Sequence, residues 1–234
     1  MVTLLDARRT SPSSADVLDG LPGVVAPRRA GAAVWSATLL SDPTEGSGSP
    51  AEVFGADLER YTQLSARDVA AADRLLAGRR AVHALAGTLG LPWPGFAPSI
   101  SGVKPRFASG DADLSVSHSG DVLLAALVPS GRVGIDVETR VDAFDKAGLI
   151  RRFCTPAEIA QADQLTGEAR RRWLARLWSA KEAVAKLDGR GIRADLRESA
   201  LGHLLSSRPR VAAWTLAVDS GAGLALTELA EEIA

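Results

Sequence analysis

The chain has 234 residues, 46% of them apolar, with 27 Lys and Arg against 28 Asp and Glu for a formal net charge of −1. That length suffices for one large domain or two small ones to build a core without covalent staples, and the balanced charge advertises neither nucleic acid nor an anionic membrane as a partner. The single cysteine, Cys154, excludes an internal disulfide and a cysteine-built zinc site, no run reaches the roughly eighteen apolar residues of a membrane helix, and Asp6, Arg8 and Arg9 stand where a signal peptide would be apolar; the expected compartment is the cytoplasm.

Residues 1 to about 30 show no steady period and are expected to be an irregular lead-in. Ala32 to Leu40 reads as a first strand, and Ser41 to Pro50 as an exposed loop. Ser65 to Leu89 is helical, with Ser65 as N-cap and Gly90 and Pro92 as the stop. Its apolar stripe runs through Val69, Leu75, Leu76, Val82 and Leu85, and its polar side carries Arg67, Arg74, Arg79 and Arg80. Leu91 to Ser109 is a Pro- and Gly-rich connection. Leu114 to Ser117 alternates as a short strand running into a turn at Ser117-His118-Ser119-Gly120.

Asp121 to Val128 and Arg132 to Glu138 read as two strands joined at hairpin length by Pro129-Ser130-Gly131. Thr155-Pro156-Ala157-Glu158 has the pattern of a helix start with a capping box, the preferred reading of Glu158. A longer helix holds Trp173 to Lys186 and is closed by Asp188-Gly189-Arg190-Gly191; Val211 to Val218 and Gly223 to Leu229 are the last two strands. The order suggests an α+β fold of two halves, 1–131 and 132–234, each a helix on a small antiparallel sheet. No internal repeat is visible in the sequence.

Two segments carry chemistry. Asp136 and Glu138, at i and i+2 of a strand, leave the same face of the pleat, while Ile135 and Val137 anchor the other face in the core. Glu182 and Lys186, at i and i+4 of a helix, also share a face. Alone, the first pair reads as a solvated strand end and the second as a surface ion pair. Together, three carboxylates and the lysines Lys181 and Lys186 suit a magnesium-bound di- or triphosphate. The Ser117-His118-Ser119-Gly120 turn could wrap a phosphate, and among the three histidines only His118 lies in such a loop; His83 and His203 do not. Lys146 to Arg193 holds eleven Lys and Arg against five Asp and Glu, which suits either a solvated helical surface or a dock for an acidic macromolecule through Arg170, Arg171, Arg172 and Arg176.

Lys104-Pro105, Ser117-His118-Ser119-Gly120, Gly134-Ile135-Asp136-Val137-Glu138 and Trp178-Ser179-Ala180-Lys181-Glu182-Ala183-Val184-Ala185-Lys186 resemble, in order and spacing, the motifs of 4'-phosphopantetheinyl transferases of the surfactin-synthetase-activating type. Val103 replaces a glycine common in that family, and Leu114 and Ser115 replace a Phe-Asn pair. The resemblance implies transfer of phosphopantetheine from coenzyme A to a serine of an acyl- or peptidyl-carrier protein, releasing adenosine 3',5'-bisphosphate, and a monomer of two pseudo-twofold halves with coenzyme A in the cleft between them. It implies that Asp136, Glu138 and Glu182 hold Mg²⁺, with Mn²⁺ as a substitute, and that Lys186 and Lys181 neutralise the pyrophosphate. Ser117 and His118 would contact phosphates, Lys104 and Pro105 the adenine end, and Arg74 or Arg79 the 3'-phosphate. The serine's proton would pass to Glu182 or to a metal-bound water held by Glu138. The same residues would also serve a Mg²⁺-dependent hydrolase of coenzyme A or a nucleotide diphosphate, or a non-catalytic coenzyme A binding module.

Overall fold

The computed structural model describes residues 34–39, 48–100, 102–189, 195–197, 211–218 and 221–228, and for the strands within 34–39, 211–218 and 221–228 the backbone alone. The lead-in over residues 1–30, most of the loop Ser41 to Pro50, and His203 lie outside the described residues. The elements are β1 (Val34–Leu39), α1 (Pro50–Phe54), α2 (Leu58–Ser65), α3 (Val69–Thr88), β2 (Asp113–Ser119), β3 (Val122–Val128) and β4 (Arg132–Glu138). A 3₁₀ turn (Val141–Asp145), α4 (Ala147–Phe153), α5 (Pro156–Ala162), α6 (Gly167–Leu187), β5 (Val211–Val218) and β6 (Gly221–Glu228) follow.

The strands form two three-stranded antiparallel sheets, ordered β1-β3-β2 and β4-β6-β5. In each, the helices fall between the first and second strands, and the third strand in sequence lies in the middle. The α+β class expected from the sequence is thus observed.

The sequence of β3, Val-Leu-Leu-Ala-Ala-Leu-Val, has no polar face because both faces are covered. Leu123, Ala125 and Leu127 pack with Ala81, Val82 and Leu85 of α3. Leu124, Ala126 and Val128 pack with Val133, Ile135 and Val137 of β4. The odd residues of β4 therefore anchor it in the core, and the even ones, Gly134, Asp136 and Glu138, leave its other face. There α6 approaches until a Cβ on Gly134 would stand 2.0 Å from the Ala183 carbonyl oxygen and 2.6 Å from the Leu187 nitrogen. Only glycine admits that contact.

Three sequence expectations are corrected. Asp121 to Val128 and Arg132 to Glu138 do not form a hairpin. Both edges of β3 are taken by β1 and β2, so the chain crosses through Pro129-Ser130-Gly131 to a second sheet, where β4 pairs with β6. Ser117 and His118 lie within β2 rather than in a turn, and the reversal is the two residues Gly120 and Asp121. The helix expected over Ser65 to Leu89 is present as α3 but starts at Val69: Ser65 ends α2 instead of capping, and Asp68 caps α3 by accepting from the Ala71 N–H at 2.9 Å.

Candidate active site

Lys186 stands in the last turn of α6 and reaches back to β4. Its ammonium donates to Asp136 Oδ1 at 2.7 Å and to Ser117 Oγ at 2.9 Å, and the Ser117 hydroxyl donates to the same Oδ1 at 2.7 Å. Asp136 is 4% exposed, and its second oxygen, Oδ2, is buried without a hydrogen-bond partner. A buried carboxylate oxygen left without a donor is costly.

Around this core the electrostatics are crowded. Burial, then the Asp136 charge and that of Glu138, raise the proton affinity of Glu182 above the ordinary carboxylate range. Burial raises that of Glu138 too, with Asp136 adding to it and the Ser119 hydrogen bond opposing it. Partial desolvation, the Arg74 guanidinium and Lys186 hold the His118 imidazole below its usual range.

β2 presents these residues through its period of two. Ser115, Ser117 and Ser119 share one face, and all three hydroxyls bond to β4 or its end. Ser115 accepts from the Ile135 N–H at 3.1 Å, Ser117 donates to Asp136, and Ser119 donates to Glu138 Oε2 at 2.9 Å while accepting from the Thr139 N–H at 3.1 Å. The even residues Leu114 and Val116 pack toward α3, and His118 follows them on that side. At the start of the strand Asp113 Oδ2 accepts from the Val133 N–H at 2.8 Å and from Lys104, whose ammonium also donates to the Val133 carbonyl at 2.7 Å. The two sheets are thus joined by a polar seam whose far end is the carboxylate cluster.

The sequence-expected residues separate into those brought together and those placed elsewhere. Asp136, Glu138, Lys186 and Ser117 meet at the end of the seam, Glu182 lies close enough to feel the charges of Asp136, Glu138 and Lys186, and His118, on the α3 side of β2, feels those of Arg74, Lys186 and Asp136. Lys104 is engaged in the seam, with Pro105 half-buried beside it. Arg79 is buried: its guanidinium lies 4.1 Å from the centroid of the Phe96 ring and 3.6 Å from Asp57, and burial lowers its pKa to about 10. Of the two arginines, Arg74 is therefore the one near the site.

Lys181 does not reach the cluster. Its side chain is fully buried on the other side of α6, donating to Glu158 Oε2 at 2.6 Å, to the Phe153 carbonyl at 2.8 Å and to the Leu196 carbonyl at 2.9 Å. All three ammonium protons are used, and adjacent positions on a helix lie about 100° apart, so Lys181 and Glu182 cannot share a face. Glu158 forms the expected capping box with Thr155 and meets Lys181 with the same oxygen. Trp178 packs on Phe144 and Phe153 beneath this pair.

Of the four arginines expected to face a partner, Arg170 is tied to Asp145 at 2.8 Å and Asp163 at 2.7 Å, and Arg171 to Asp142 at 2.8 Å. Arg172 pairs with Glu168 one turn away but is 63% exposed, and Arg176 is exposed. Sequence reasoning did not single out the seam residues Ser115 and Asp113, and it placed Ser119 only in a phosphate-wrapping turn. The signal was present as serines at every second position of 115–119, visible only once the strand is known to run to Ser119.

The carboxylates suit a hard divalent cation, although among the described residues no three His, Cys, Asp or Glu side chains converge closely enough to enclose one. The fit rests on chemistry: three oxygen donors repelling one another, and a buried Oδ2 lacking any donor. A cation there would satisfy Oδ2 and offset the repulsion.

No helix among the described residues is long and apolar enough to cross a membrane. Residues 132–225 match the model of the 4'-phosphopantetheinyl transferase superfamily. The chain is 36% identical over 84 residues to the provisionally named 4'-phosphopantetheinyl transferase slr0495 of Synechocystis sp., covering 36% of this chain and 34% of that protein. It is 33% identical over 87 residues to the 4'-phosphopantetheinyl transferase HetI of Nostoc sp., covering 37% of each. A third relative, the holo-[acyl-carrier-protein] synthase of Limosilactobacillus reuteri, is 38% identical over 69 residues, which are 27% of this chain and 57% of that protein. The alignments thus span about a third of the length of the first two relatives. These matches agree with the resemblance read from the motifs at the level of the superfamily, and the matched segment 132–225 holds Asp136, Glu138, Glu182 and Lys186.

Proposed function

We propose that the protein transfers 4'-phosphopantetheine from coenzyme A to a serine of an apo acyl- or peptidyl-carrier protein, with Mg²⁺ as cofactor. The observation that carries this reading is the cluster of Lys186, Ser117 and Asp136 around a buried, unpartnered Oδ2, with Glu138 and Glu182 beside it. Asp136, Glu138 and Glu182 would hold the cation, which when bound supplies electrostatic stabilisation of the charge that builds on the pyrophosphate oxygens. Lys186 would neutralise the same oxygens, and His118 would offer a hydrogen bond beside Arg74. Glu182, with its raised proton affinity, is the group suited to take the serine's proton. The chain needs no activated nucleophile of its own, because the carrier brings it.

The two sheets, drawn from residues 34–128 and 132–228, have the same strand order. This supports two halves related by a pseudo-twofold axis, divided near residue 131, with coenzyme A lying across the seam. An acidic carrier would meet the exposed Arg151, Arg152, Arg172 and Arg176. The reading places the enzyme in the cytoplasm as a monomer.

The test is to incubate the protein with coenzyme A, Mg²⁺ and a panel of apo carrier proteins and weigh the carriers intact. A mass gain of one phosphopantetheine, lost with chelator, establishes the activity. Release of adenosine 3',5'-bisphosphate with every carrier unmodified would instead make the protein a hydrolase. Intact coenzyme A with no carrier modified would leave a binding module.

A further inference from the structure

Ser119 is 6% exposed at the last position of β2, where the seam between the sheets meets the carboxylate cluster. Its hydroxyl is shared between two tasks. It donates its one proton to Glu138 Oε2 at 2.9 Å, and its lone pairs face the Thr139 N–H at 3.1 Å and the Thr139 hydroxyl at 3.3 Å. Glu138 itself is only partly buried and ends its strand, and Ser119 is the hydrogen-bond donor to its carboxylate among the described residues. A glutamate has three side-chain torsions, and a carboxylate that must meet a cation pays in affinity for each it leaves free. A hydrogen bond to one oxygen from a buried, doubly anchored hydroxyl removes that freedom and leaves the other oxygen available.

The backbone around Ser119 is fitted to this. Gly120, at φ 58°, turns the chain immediately after it, and a Cβ there would stand 2.9 Å from Thr139 Oγ1. Glycine at 120 therefore lets Thr139 close over Ser119 and fix the hydroxyl's orientation toward Glu138.

We infer that Ser119 is a positioning residue for Glu138: it aims one carboxylate of the cluster, and through it sets the affinity of the site for a divalent cation. Ser119 belongs to the first sheet and Glu138 to the second, so cation affinity is tied to the packing of the two sheets. The inference rests on the function proposed above insofar as the carboxylates hold a metal, and its readout is cation binding rather than turnover alone.

The experiment measures Mn²⁺ binding by electron paramagnetic resonance in the absence of coenzyme A, for the intact protein and for Ser119→Ala, Ser119→Thr and Ser115→Ala. Loss of an outer partner of a metal ligand typically costs roughly 10- to 100-fold in metal affinity. Ser119→Ala is expected to weaken Mn²⁺ about tenfold or more, and Ser119→Thr, which keeps the hydroxyl, to restore most of it. Ser115→Ala removes an equally buried seam hydroxyl that bonds only backbone, and is expected to lower the melting temperature without changing Mn²⁺ affinity. Equal affinities for Ser119→Ala and the unaltered protein would overturn the inference. So would Ser115→Ala weakening Mn²⁺ as much as Ser119→Ala, since the effect would then be one of sheet packing. An unaltered protein that binds no Mn²⁺ would instead overturn the metal site itself.

Discussion

The ammonium of Lys186 lies 2.7 Å from Asp136 Oδ1, so the residue proposed to neutralise a phosphate is the counter-ion of the carboxylate proposed to hold a metal. Removing one partner of a largely buried pair strands the other, at a cost of about 3–5 kcal/mol, and the 23% exposure of Lys186 reduces that to roughly 2. Lys186→Met is expected to lower the melting temperature of the chelator-treated protein by about 4–8 °C. Mg²⁺ should recover part of that fall, since a cation can take over the neutralisation of Asp136. Thermal unfolding with chelator and with Mg²⁺ checks both effects, and an unchanged melting temperature in chelator would mean that the pair contributes nothing.

Glu138 and Glu182 both hold protons more tightly in the folded protein than in the unfolded chain. A raised carboxylate pKa adds stability that is full below the unfolded value and lost as pH rises through the folded one, so at neutral pH the cluster is a net cost. A cation must displace protons to bind there. The thermal shift produced by Mg²⁺ is therefore expected to be larger near neutral pH and to shrink as pH falls toward 4.5, glutamate's ordinary value. A shift independent of pH would place the cation elsewhere.

Gly134→Ala would drive a Cβ into the backbone of α6 at Ala183 and Leu187. Neither atom is a flexible side-chain tip, so helix and strand must separate, at a cost of about 3 kcal/mol or more. Because β4 carries Asp136 and α6 carries Glu182 and Lys186, transfer activity should fall with stability. Urea unfolding measures the first effect and carrier modification the second.

Lys181 provides a contrasting case. With all its protons given to Glu158, Phe153 and Leu196, Lys181→Met should destabilise by roughly 3–5 kcal/mol by removing the counter-charge of the buried Glu158 carboxylate. Adding Glu158→Gln should recover part of the loss. The KM for coenzyme A of whatever fraction is folded should stay within about twofold, a difference of about 0.4 kcal/mol. A large rise in KM at unchanged stability would return Lys181 to the phosphate site.

Much of the site was legible because its signals are local. Asp136 and Glu138 share a pleat face, Glu182 and Lys186 share a helix face, and Thr155 and Glu158 form a capping box at fixed spacing. What the sequence hid depends on pairing at a distance. Pro129-Ser130-Gly131 has hairpin length, and only the occupied edges of β3 show that β4 must leave for another sheet. Ser119 looked like part of a phosphate turn, because whether a strand ends at Ser117 or continues to Ser119 is decided by its ladder with Val122. Lys181 beside Glu182 looked like a second phosphate ligand until burial assigned it to Glu158. The repeated strand order of the two sheets has no counterpart in the residues themselves, since topology can recur without side-chain identity.

The most direct test compares the unaltered protein with Asp136→Asn, an isosteric change that removes the carboxylate's charge while leaving an oxygen to accept from Ser117 and Lys186. Both are incubated with coenzyme A, Mg²⁺ and an apo carrier protein, and the carrier is weighed intact over time. The account predicts one phosphopantetheine added by the unaltered protein, none in chelator, and a rate reduced at least about a hundredfold, or 2.7 kcal/mol, in Asp136→Asn. Carrier modification by Asp136→Asn at near the unaltered rate would contradict it.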